Sequence, residues 1–395
     1  MKVLYIVHST DMSTGANKSF LALIENICKQ GVVPFFVTPD KGDLYHFLQK
    51  KGYYVLSVSF RLSCYPDLHS FKDGVLFLPR LLGRRFLEHR AYKRIIQLCR
   101  QEDIQLIHTN VSILSFGLAA AKELGIPHIL HFREYGDLDF GCHYYPSKKV
   151  FYQTLAHSLS YSICITKGIQ KYHHQTTSHT QQIYNGIQPS ACQVIPSNPL
   201  NSTDDRRYFL FAGRLEPSKG ALLTLQAFFS FCQEHPQNDI LLKMAGGMSD
   251  VSYLNKLKTF IHEHQLQEKV QLLGNRKDLD VLMREALGTI VASEFEAFGR
   301  CLPEAMLNNS LTIGRDTAGT KEQYDNGLEL CGQEIGLRFS STQELAGRMS
   351  EVATAPAGSF DEMKTRAKKT VKALYSSESC ALKVFNFYQQ ILKPS

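Results

Sequence analysis

Hydrophobic residues in the first half of the chain alternate between short continuous runs and stretches with helical spacing. The apolar run at 3–8 is followed by a segment, 20–28, whose apolar residues lie three or four positions apart, and Gly31 ends it. Such alternation is typical of a parallel sheet with right-handed helical crossovers. The strands predicted here are 3–8, 32–38, 53–60, 104–108, 128–132 and 161–166.

The same alternation begins again after residues 194–206, which are rich in Pro, Ser and Asn and are therefore predicted to be a linker. We predict an α/β protein of two Rossmann-like, doubly wound parallel-sheet domains, 1–198 and 199–376, which face a central cleft that holds the ligands. The later elements predicted are strands at 208–212, 240–245, 270–273, 289–292 and 311–314, and helices near 341–353, 360–374 and 378–392.

Composition narrows the class of protein. The chain has 395 residues, of which 44% are hydrophobic and 21% charged, and this excludes a disordered or low-complexity protein. It has neither a membrane-spanning apolar run nor a secretory leader pattern, and its ten cysteines form no CxxC pair. We expect a cytoplasmic protein with reduced thiols. The net charge of +7 suits anionic ligands or a membrane surface, and no nucleic-acid partner is expected.

The loop after the first predicted strand lacks the GxGxxG pattern of dinucleotide-binding proteins, because only Gly15 falls within it. Two alternatives remain for this loop. Gly15 and the following helix N-terminus could face an anion, or the segment could be an ordinary turn.

Two cations follow the predicted strand 208–212. Arg214 offers a planar fork of donors, Lys219 offers a compact positive charge, and Ser218 is predicted to cap a helix that opens at Lys219. Since both cations lie at the carboxyl end of a strand, they predict a diphosphate site. The alternative is a pair of solvated basic residues at a helix start.

Two glutamates follow the predicted strand 289–292. Pro303 is tolerated only in a first helical turn, so a helix is predicted to start near 299–300, with the amides of 299–301 unpaired. Glu296 lies before these amides and Glu304 one turn into the helix. The carboxylates could accept bonds from sugar hydroxyls while the amides hold a phosphate. A glutamate favoured by the helix dipole is the simpler explanation for Glu304 alone.

These segments together resemble a known family. The spacing of Glu296 and Glu304 in EFEAFGRCLPEAM is similar to the E-x7-E signature of family 4 of the retaining, nucleotide-sugar-dependent glycosyltransferases. The segment GRLEPSKG at 213–220 is similar to the GRL-x3-KG segment of that family. Three further segments, TGANKS, IYNGI and AGTKE, resemble its glycine loop, its NGI segment and its GG-x-x-E loop in the same order.

The resemblance implies a GT-B fold, a nucleoside-diphosphate sugar as donor, and no metal cofactor. Arg214 and Lys219 would bind the diphosphate, Glu304 the ribose hydroxyls, and Glu296 the donor sugar near the reacting centre. The last segment, 377–395, would cross back to the first domain. The donor-binding residues that the resemblance implies are Gly15, Arg214, Lys219, Phe298, Gly299, Arg300 and Glu304.

The family often has a histidine after the fourth or fifth strand of its first domain. In this chain either His131 or Arg133 falls at that place, and counting from Pro127 favours Arg133. His131 could equally be a core histidine within a strand. The predicted catalytic residues are therefore Glu296, Arg133 and His131.

Two Asp-Leu-Asp segments and a group of histidines are weaker candidates for metal binding. Residues 278–280 are predicted to be a capped helix start and 137–139 a loop, while the histidines at 173–174 and His179 are predicted to be solvated. We therefore predict no metal site.

Residues 79–95 combine six basic residues with Leu81, Leu82, Phe86 and Leu87. This pattern predicts a helix that either lies on an anionic membrane, at the inner face of the plasma membrane, or simply covers the sheet.

The function predicted is retaining transfer of a sugar to a glycan or lipid-linked acceptor, in capsule, lipopolysaccharide or exopolysaccharide synthesis. The rival functions are a GT-B-like nucleotide-sugar epimerase and, from another class, a basic RNA-binding protein.

Overall fold

The structure is a computed structural model that describes residues 1–66, 68, 71–175, 177–188, 206–248 and 250–393. The chain divides into two compact units, Met1–Gly186 with Ser377–Ser395, and Ile187–Ser376. The predicted domain boundary at 198, and the predicted linker apart from residue 206, lie outside the described residues.

The first unit is built on a parallel sheet whose strands are mostly buried on both faces, as expected for apolar runs flanked by helices. Its strands are β1 (Lys2–Ile6), β2 (Val33–Thr38), β3 (Tyr54–Ser57), β4 (Leu106–Thr109), β5 (His128–Phe132), β6 (Ser160–Cys164) and β7 (Thr180–Gln182). Over the described residues their order is β3-β2-β1-β4-β5-β6-β7. The winding therefore reverses between β1 and β4.

The helices of this unit connect the parallel strands. They are α1 (Gly15–Ile27), α2 (Asp43–Lys50), α3 (Phe71–Gln101), α4 (Phe116–Leu124), α5 (Asp137–Phe140), α6 (Lys148–Leu155) and α7 (Lys167–Tyr172). The segment predicted at 79–95 is the middle of α3, which is 31 residues long and contains Pro79. The short helix α5 lies where a loop was predicted, because Asp139 accepts the backbone N–H groups of Tyr135 and Gly136 and closes a turn.

The second unit repeats the architecture of the first. Its strands are β8 (Tyr208–Ala212), β9 (Leu241–Ala245), β10 (Val270–Gly274), β11 (Gly288–Val291), β12 (Thr312–Arg315) and β13 (Leu337–Phe339). In the part of this unit that the structure describes, all pairs are parallel and the order is β10-β9-β8-β11-β12-β13. The winding reverses between β8 and β11.

The helices of the second unit cover its sheet. They are α8 (Ala221–Glu234), α9 (Val251–Glu263), α10 (Leu279–Glu285), α11 (Cys301–Leu307), α12 (Ala318–Cys331), α13 (Thr342–Thr354) and α14 (Asp361–Leu374). A core of buried aromatic side chains from β8 and α8 lies beneath them, including Phe209, Phe211, Phe228 and Phe231.

The last helix, α15 (Ser377–Leu392), belongs to the first unit. Its apolar face packs on α1, and Val384, Phe387 and Tyr388 join the same core as β1 and β2. Over the described residues, no helix is both long enough and apolar enough to cross a membrane.

Each strand predicted from the sequence is present, with ends displaced by at most three residues. Two strands were missed, β7 and β13. Both have three residues, and β7 is the polar sequence Thr-Gln-Gln, which carries no apolar run to signal it.

Candidate functional site

Apart from Gly15, the predicted donor residues lie on two loops at the switch point of the second sheet, or in the first turn of the helix that follows the second loop. One loop follows β8 and the other follows β11, and the carboxyl ends of these neighbouring strands meet at one edge. The loops touch directly, since the Glu294 N–H donates to the Ser218 carbonyl at 3.0 Å. Gly220, at the end of the first loop, also lies close to the start of the second loop. A Cβ placed on Gly220 would lie 2.2 Å from the Ala292 carbonyl oxygen.

Lys219 and Glu296 meet at this point. The Lys219 Nζ donates to Glu296 Oε1 at 2.7 Å, and the Ser293 hydroxyl donates to the same oxygen at 2.7 Å. The two charged side chains are about four-fifths buried, at 20% and 18% exposure. Two of the residues proposed for phosphate and sugar binding are therefore in contact, although 77 positions separate them in sequence.

The helix expected to open at Lys219 starts later. Residues 217–219 form a 3-10 turn and α8 begins at Ala221, so the prediction that Ser218 caps the helix was wrong. Gly220 precedes the helix with φ +74°, a left-handed conformation that a side chain disfavours. This kink separates the turn that carries Lys219 from the helix axis.

The backbone around Glu296 is fixed by the start of α12. The Gly319 N–H donates to the Glu296 carbonyl at 2.9 Å, and the Gln323 side-chain amide donates to the Phe298 carbonyl. A Cβ at Gly319 would lie 2.7 Å from the Glu296 carbonyl oxygen. Ala318 stands at the first glycine of the GG-x-x-E loop that this segment resembles, and it adopts φ +43°. The AGTKE segment therefore holds the Glu296 loop by close backbone contact.

Two ion pairs in this region were missed by the sequence reasoning. Arg214 Nη1 lies 3.0 Å from Glu216 Oε1, and Arg300 Nη2 lies 2.8 Å from Glu304 Oε1. The spacing of four residues between Arg300 and Glu304 on one helix face could have signalled the second pair. Arg214 is largely exposed, at 63%, so its pair is open to solvent.

The remaining predicted donor residues in this unit are Phe298 and Gly299. The Phe298 side chain is buried, and its ring packs edge-on against Tyr375 with centroids 5.5 Å apart. Gly299 adopts φ +76°, just before the helix that starts at Cys301. The helix start agrees with the position of Pro303 in its first turn. The availability of the amides at 299–301 for a ligand stays a prediction.

Gly15 is the first residue of α1, at the switch point of the first sheet. Thr14 caps the helix by accepting the Asn17 N–H at 3.3 Å. The Asn17 amide in turn donates to the carbonyls of Ser9 and Asp11, each at 2.9 Å. The loop is thus held by its own polar groups. Anion binding at Gly15 stays a prediction.

Arg133 and His131 lie together at the carboxyl end of β5. Arg133 is buried, and its Nε donates to Asn110 Oδ1 at 2.9 Å, while Nη1 donates to Asn185 Oδ1. His131 lies within β5, with Nδ1 3.4 Å from Arg133 Nη2 and 3.1 Å from His108 Nε2. The sequence left the choice between Arg133 and His131 open, and the structure brings both into one polar cluster.

Burial sets the protonation state of this cluster. Loss of solvation, with the Arg133 charge as a second cause, lowers the pKa of His131 and of His108 well below the usual value. The same two causes lower the pKa of His8 to about 4. The histidines are therefore neutral around Arg133 at neutral pH. The next residue, Glu134, accepts the Ser112 N–H at 2.6 Å, and burial raises its carboxyl pKa to about 7.

In each Asp-Leu-Asp segment, the first aspartate binds a basic side chain. Asp137 accepts from Lys148 at 2.7 Å, and Asp278 accepts from Arg276 at 2.6 Å and 2.8 Å. His173 was predicted to be solvated, and this was wrong. It is buried, and its two ring nitrogens are hydrogen-bonded to the Tyr152 hydroxyl and to the Glu134 carbonyl. Among the described residues, no cluster of three or more His, Cys, Asp or Glu side chains forms a candidate metal site.

Two family models match the chain, one for each half. Residues 13–191 match Glycosyltransferase Family 4, and residues 196–370 match Glycosyl transferases group 1. Together with the two parallel-sheet units, these matches show that the chain belongs to the glycosyltransferases of GT-B fold.

Curated relatives share part of this chain. It is 30% identical over 150 residues to the GPI3 subunit of phosphatidylinositol N-acetylglucosaminyltransferase of Saccharomyces cerevisiae, covering 36% of this chain and 32% of that protein. It is 27% identical over 203 residues to the putative glycosyltransferase YtcC of Bacillus subtilis, covering 48% and 47%. The matched segments thus span about a third to a half of these relatives.

Solved structures share the fold over nearly the whole length. A glycosyltransferase from Rickettsia africae superposes with a TM-score of 0.79 at 18% identity, covering 100% of this chain and 99% of that one. Anabaena Alr3699/HepE in complex with UDP and glucose superposes with a TM-score of 0.74 at 17% identity, covering 98% and 99%. At these identities the similarity establishes the fold alone.

Proposed function

We propose that this glycosyltransferase moves a sugar from a nucleoside-diphosphate donor to an acceptor hydroxyl, with retention at the anomeric carbon. The observation that carries the proposal is the contact of Lys219 with Glu296 at the switch point of the second sheet. A cation beside a carboxylate at this edge can bind the two parts of a nucleotide sugar that separate in the reaction, the diphosphate and the sugar. The lysine suits the diphosphate and the glutamate suits the sugar.

The reaction separates charge, and the site carries both signs. As the bond from the anomeric carbon to the diphosphate breaks, the sugar becomes oxocarbenium-like and the leaving group gains negative charge. Lys219 and Arg214 stabilise the diphosphate, replacing their present partners Glu296 and Glu216 with phosphate oxygens. Glu296 then positions the sugar and stabilises its positive charge.

The acceptor oxygen bonds to the anomeric carbon on the face that the diphosphate leaves, and its proton passes to the departing phosphate oxygen. This route needs no protein nucleophile, and Glu296 is a positioning and electrostatic residue in it. The amides near Phe298, Gly299 and Arg300 assist at the phosphate, and Glu304 binds the ribose hydroxyls. No metal takes part in this scheme.

The first donors to test are UDP sugars, because a structural neighbour has been solved in complex with UDP and with UDP-glucose. The acceptor is a glycan or lipid-linked molecule that contacts the first unit, where Arg133 and His131 lie at the carboxyl edge of the sheet. We place the reaction in surface polysaccharide synthesis. It would occur in the cytoplasm, at the inner face of the membrane.

The experiment is a screen of UDP, GDP and ADP sugars by thermal shift and by donor hydrolysis. The variants are Lys219→Ala and Glu296→Ala, with Lys364→Ala as the control because Lys364 forms an ion pair with Asp361 within α14, outside both loops. Loss of one charge-assisted bond to phosphate is expected to weaken donor binding about ten- to a hundredfold for Lys219→Ala. The control should bind as the unmodified chain does.

Three outcomes would contradict the proposal. Equal consumption of one donor by all variants would show that Lys219 and Glu296 do not belong to the donor site. Conversion of the donor sugar to its epimer, with no transfer, would identify an epimerase. Stabilisation by polyanions in general, without preference for a nucleotide, would favour RNA binding.

A further inference from the structure

The first half of α3 carries an exposed apolar stripe. Phe71 is 89% exposed, and no residue from 71 to 90 in this helix is buried. With 3.6 residues per turn, five exposed apolar positions fall within roughly 80° of the helix circumference. We define the α3 stripe by these residues, with their exposed fractions: Phe71 (89%), Val75 (63%), Leu78 (61%), Leu82 (61%) and Phe86 (62%).

The other side of the same segment holds the helix on the protein. Arg84 donates to the carbonyls of Cys64 and Tyr65 at 2.8 Å and 3.1 Å, and the Phe77 ring stacks on Tyr65. Glu88 accepts from the Ser115 hydroxyl at 2.9 Å. The helix is therefore fixed in rotation by its polar side while its apolar stripe faces outward. This corrects the predicted apolar face, because Leu81 and Leu87 are partly covered and the stripe begins eight residues earlier than 79.

Positive charge accompanies the stripe. The helix carries eight lysines and arginines against two acidic residues, Asp73 and Glu88. Both acidic residues form ion pairs, with Arg80 and Arg85 respectively, and both lie on the far side of the helix from the stripe. Exposed Lys72, Arg90 and Lys93 flank or extend the stripe instead. An apolar row bordered by cations is complementary to an anionic lipid surface.

The helix that carries the α3 stripe is anchored at the edge of the first sheet where the acceptor is proposed to bind. Its anchors, at 63–65 and 115, lie in the segments that follow β3 and β4 at the carboxyl edge of the first sheet. Arg133 follows β5 at that same edge. A membrane contact here brings a lipid-linked acceptor to the edge that carries Arg133. This role in acceptor delivery rests on the proposed function, whereas the surface itself does not.

We propose that the α3 stripe is a docking surface for an anionic lipid bilayer, with the helix lying along the interface and its five apolar side chains inserted. The apolar residues supply the affinity by leaving water. The flanking cations supply the preference for negatively charged headgroups.

The test is flotation of the full chain with phosphatidylcholine vesicles that contain or lack phosphatidylglycerol. We expect binding only to the vesicles with phosphatidylglycerol, and weaker binding as salt is added. The variant Phe71→Ser/Leu78→Ser/Phe86→Ser should reduce the partition coefficient by about a hundredfold or more. The variant Lys72→Gln/Arg90→Gln/Lys93→Gln should reduce it by about fivefold per charge near the surface.

A matched control removes three exposed apolar side chains outside the stripe, in the variant Leu76→Ser/Val251→Ser/Leu382→Ser, with exposures of 43%, 71% and 48%. It should bind vesicles as the unmodified chain does. Equal loss of binding in the control, or no binding by the unmodified chain, would overturn the proposal. So would a dimer, detected by light scattering, that only the stripe variant dissociates, since the occupant would then be a second copy.

The nucleotide response of the same proteins separates this proposal from the proposed function. The stripe variant should keep its thermal shift with the nucleotide sugar, because none of its substitutions lies in the second unit. Vesicle binding without any nucleotide response would contradict the proposed nucleotide-sugar donor site and leave the docking surface standing.

Discussion

Gly319→Ala tests whether backbone contact holds the Glu296 loop in place. Gly319 is the second residue of α12, where alanine is ordinarily favoured over glycine by about 1 kcal/mol. The added Cβ would lie 2.7 Å from the Glu296 carbonyl oxygen and 3.0 Å from that of Phe298, against 3.4 Å or more for an ordinary contact. The loop must then retreat by several tenths of an ångström, and the 2.9 Å bond from the Gly319 N–H is strained.

The direction of the stability change distinguishes two effects. The higher helix propensity of alanine would stabilise the protein, whereas the close contact of the added Cβ would destabilise it. We expect a loss of about 2 kcal/mol from overpacking and a weakened hydrogen bond, which lowers the Tm by roughly 4–8 °C for a unit of this size. Donor binding should weaken as well, although no polar group has been removed, because the Glu296 carboxylate moves relative to Lys219.

The assay is thermal unfolding with and without the nucleotide sugar that stabilises the unmodified chain. Gly347→Ala is the control, since Gly347 lies inside α13 and a Cβ there meets no atom within 4 Å. It should raise stability by up to about 1 kcal/mol and leave donor binding unchanged. If Gly319→Ala behaves like this control in both respects, the close contact does not position the loop.

Two further predictions concern stability. Gly220→Ala should lower the free energy of unfolding by about 2–4 kcal/mol, because φ is +74° and the Cβ would lie 2.2 Å from the Ala292 carbonyl oxygen. The control Gly31→Ala, at φ +87° with no atom within 4 Å, should lower it by only about 1 kcal/mol. Equal losses of stability in thermal unfolding would refute the contact argument. Burial raises the pKa of Glu134 from 4.5 to about 7, so the carboxyl contributes stability at low pH that is lost as the pH rises through this window. The stability of Glu134→Gln relative to the unmodified chain should therefore rise by up to about 3 kcal/mol between pH 4.5 and 7 and then level off, and urea titrations that show a constant difference would rule this out.

Local patterns in the sequence determined the elements and their class. Strands buried on both faces are largely apolar, so β8 has the bounds that its apolar run predicts. β5 also has its predicted bounds, although two of its five buried residues are histidines. Pro303 marked the start of α11 because a proline is tolerated only in the first helical turn. The polar edge strand β7 lacked such a signal, since three residues at an edge need no apolar run.

The tertiary structure alone decided which distant residues meet. Lys219 contacts Glu296 because β8 and β11 are neighbours where the winding reverses, and strand order is not encoded in the spacing of either segment. The same holds for Arg133, which reaches Asn185 across 52 positions. Local periodicity reports only which face of an element is buried, so the partners of a polar side chain emerge once the sheet is assembled and its carboxyl edge brings the loops together.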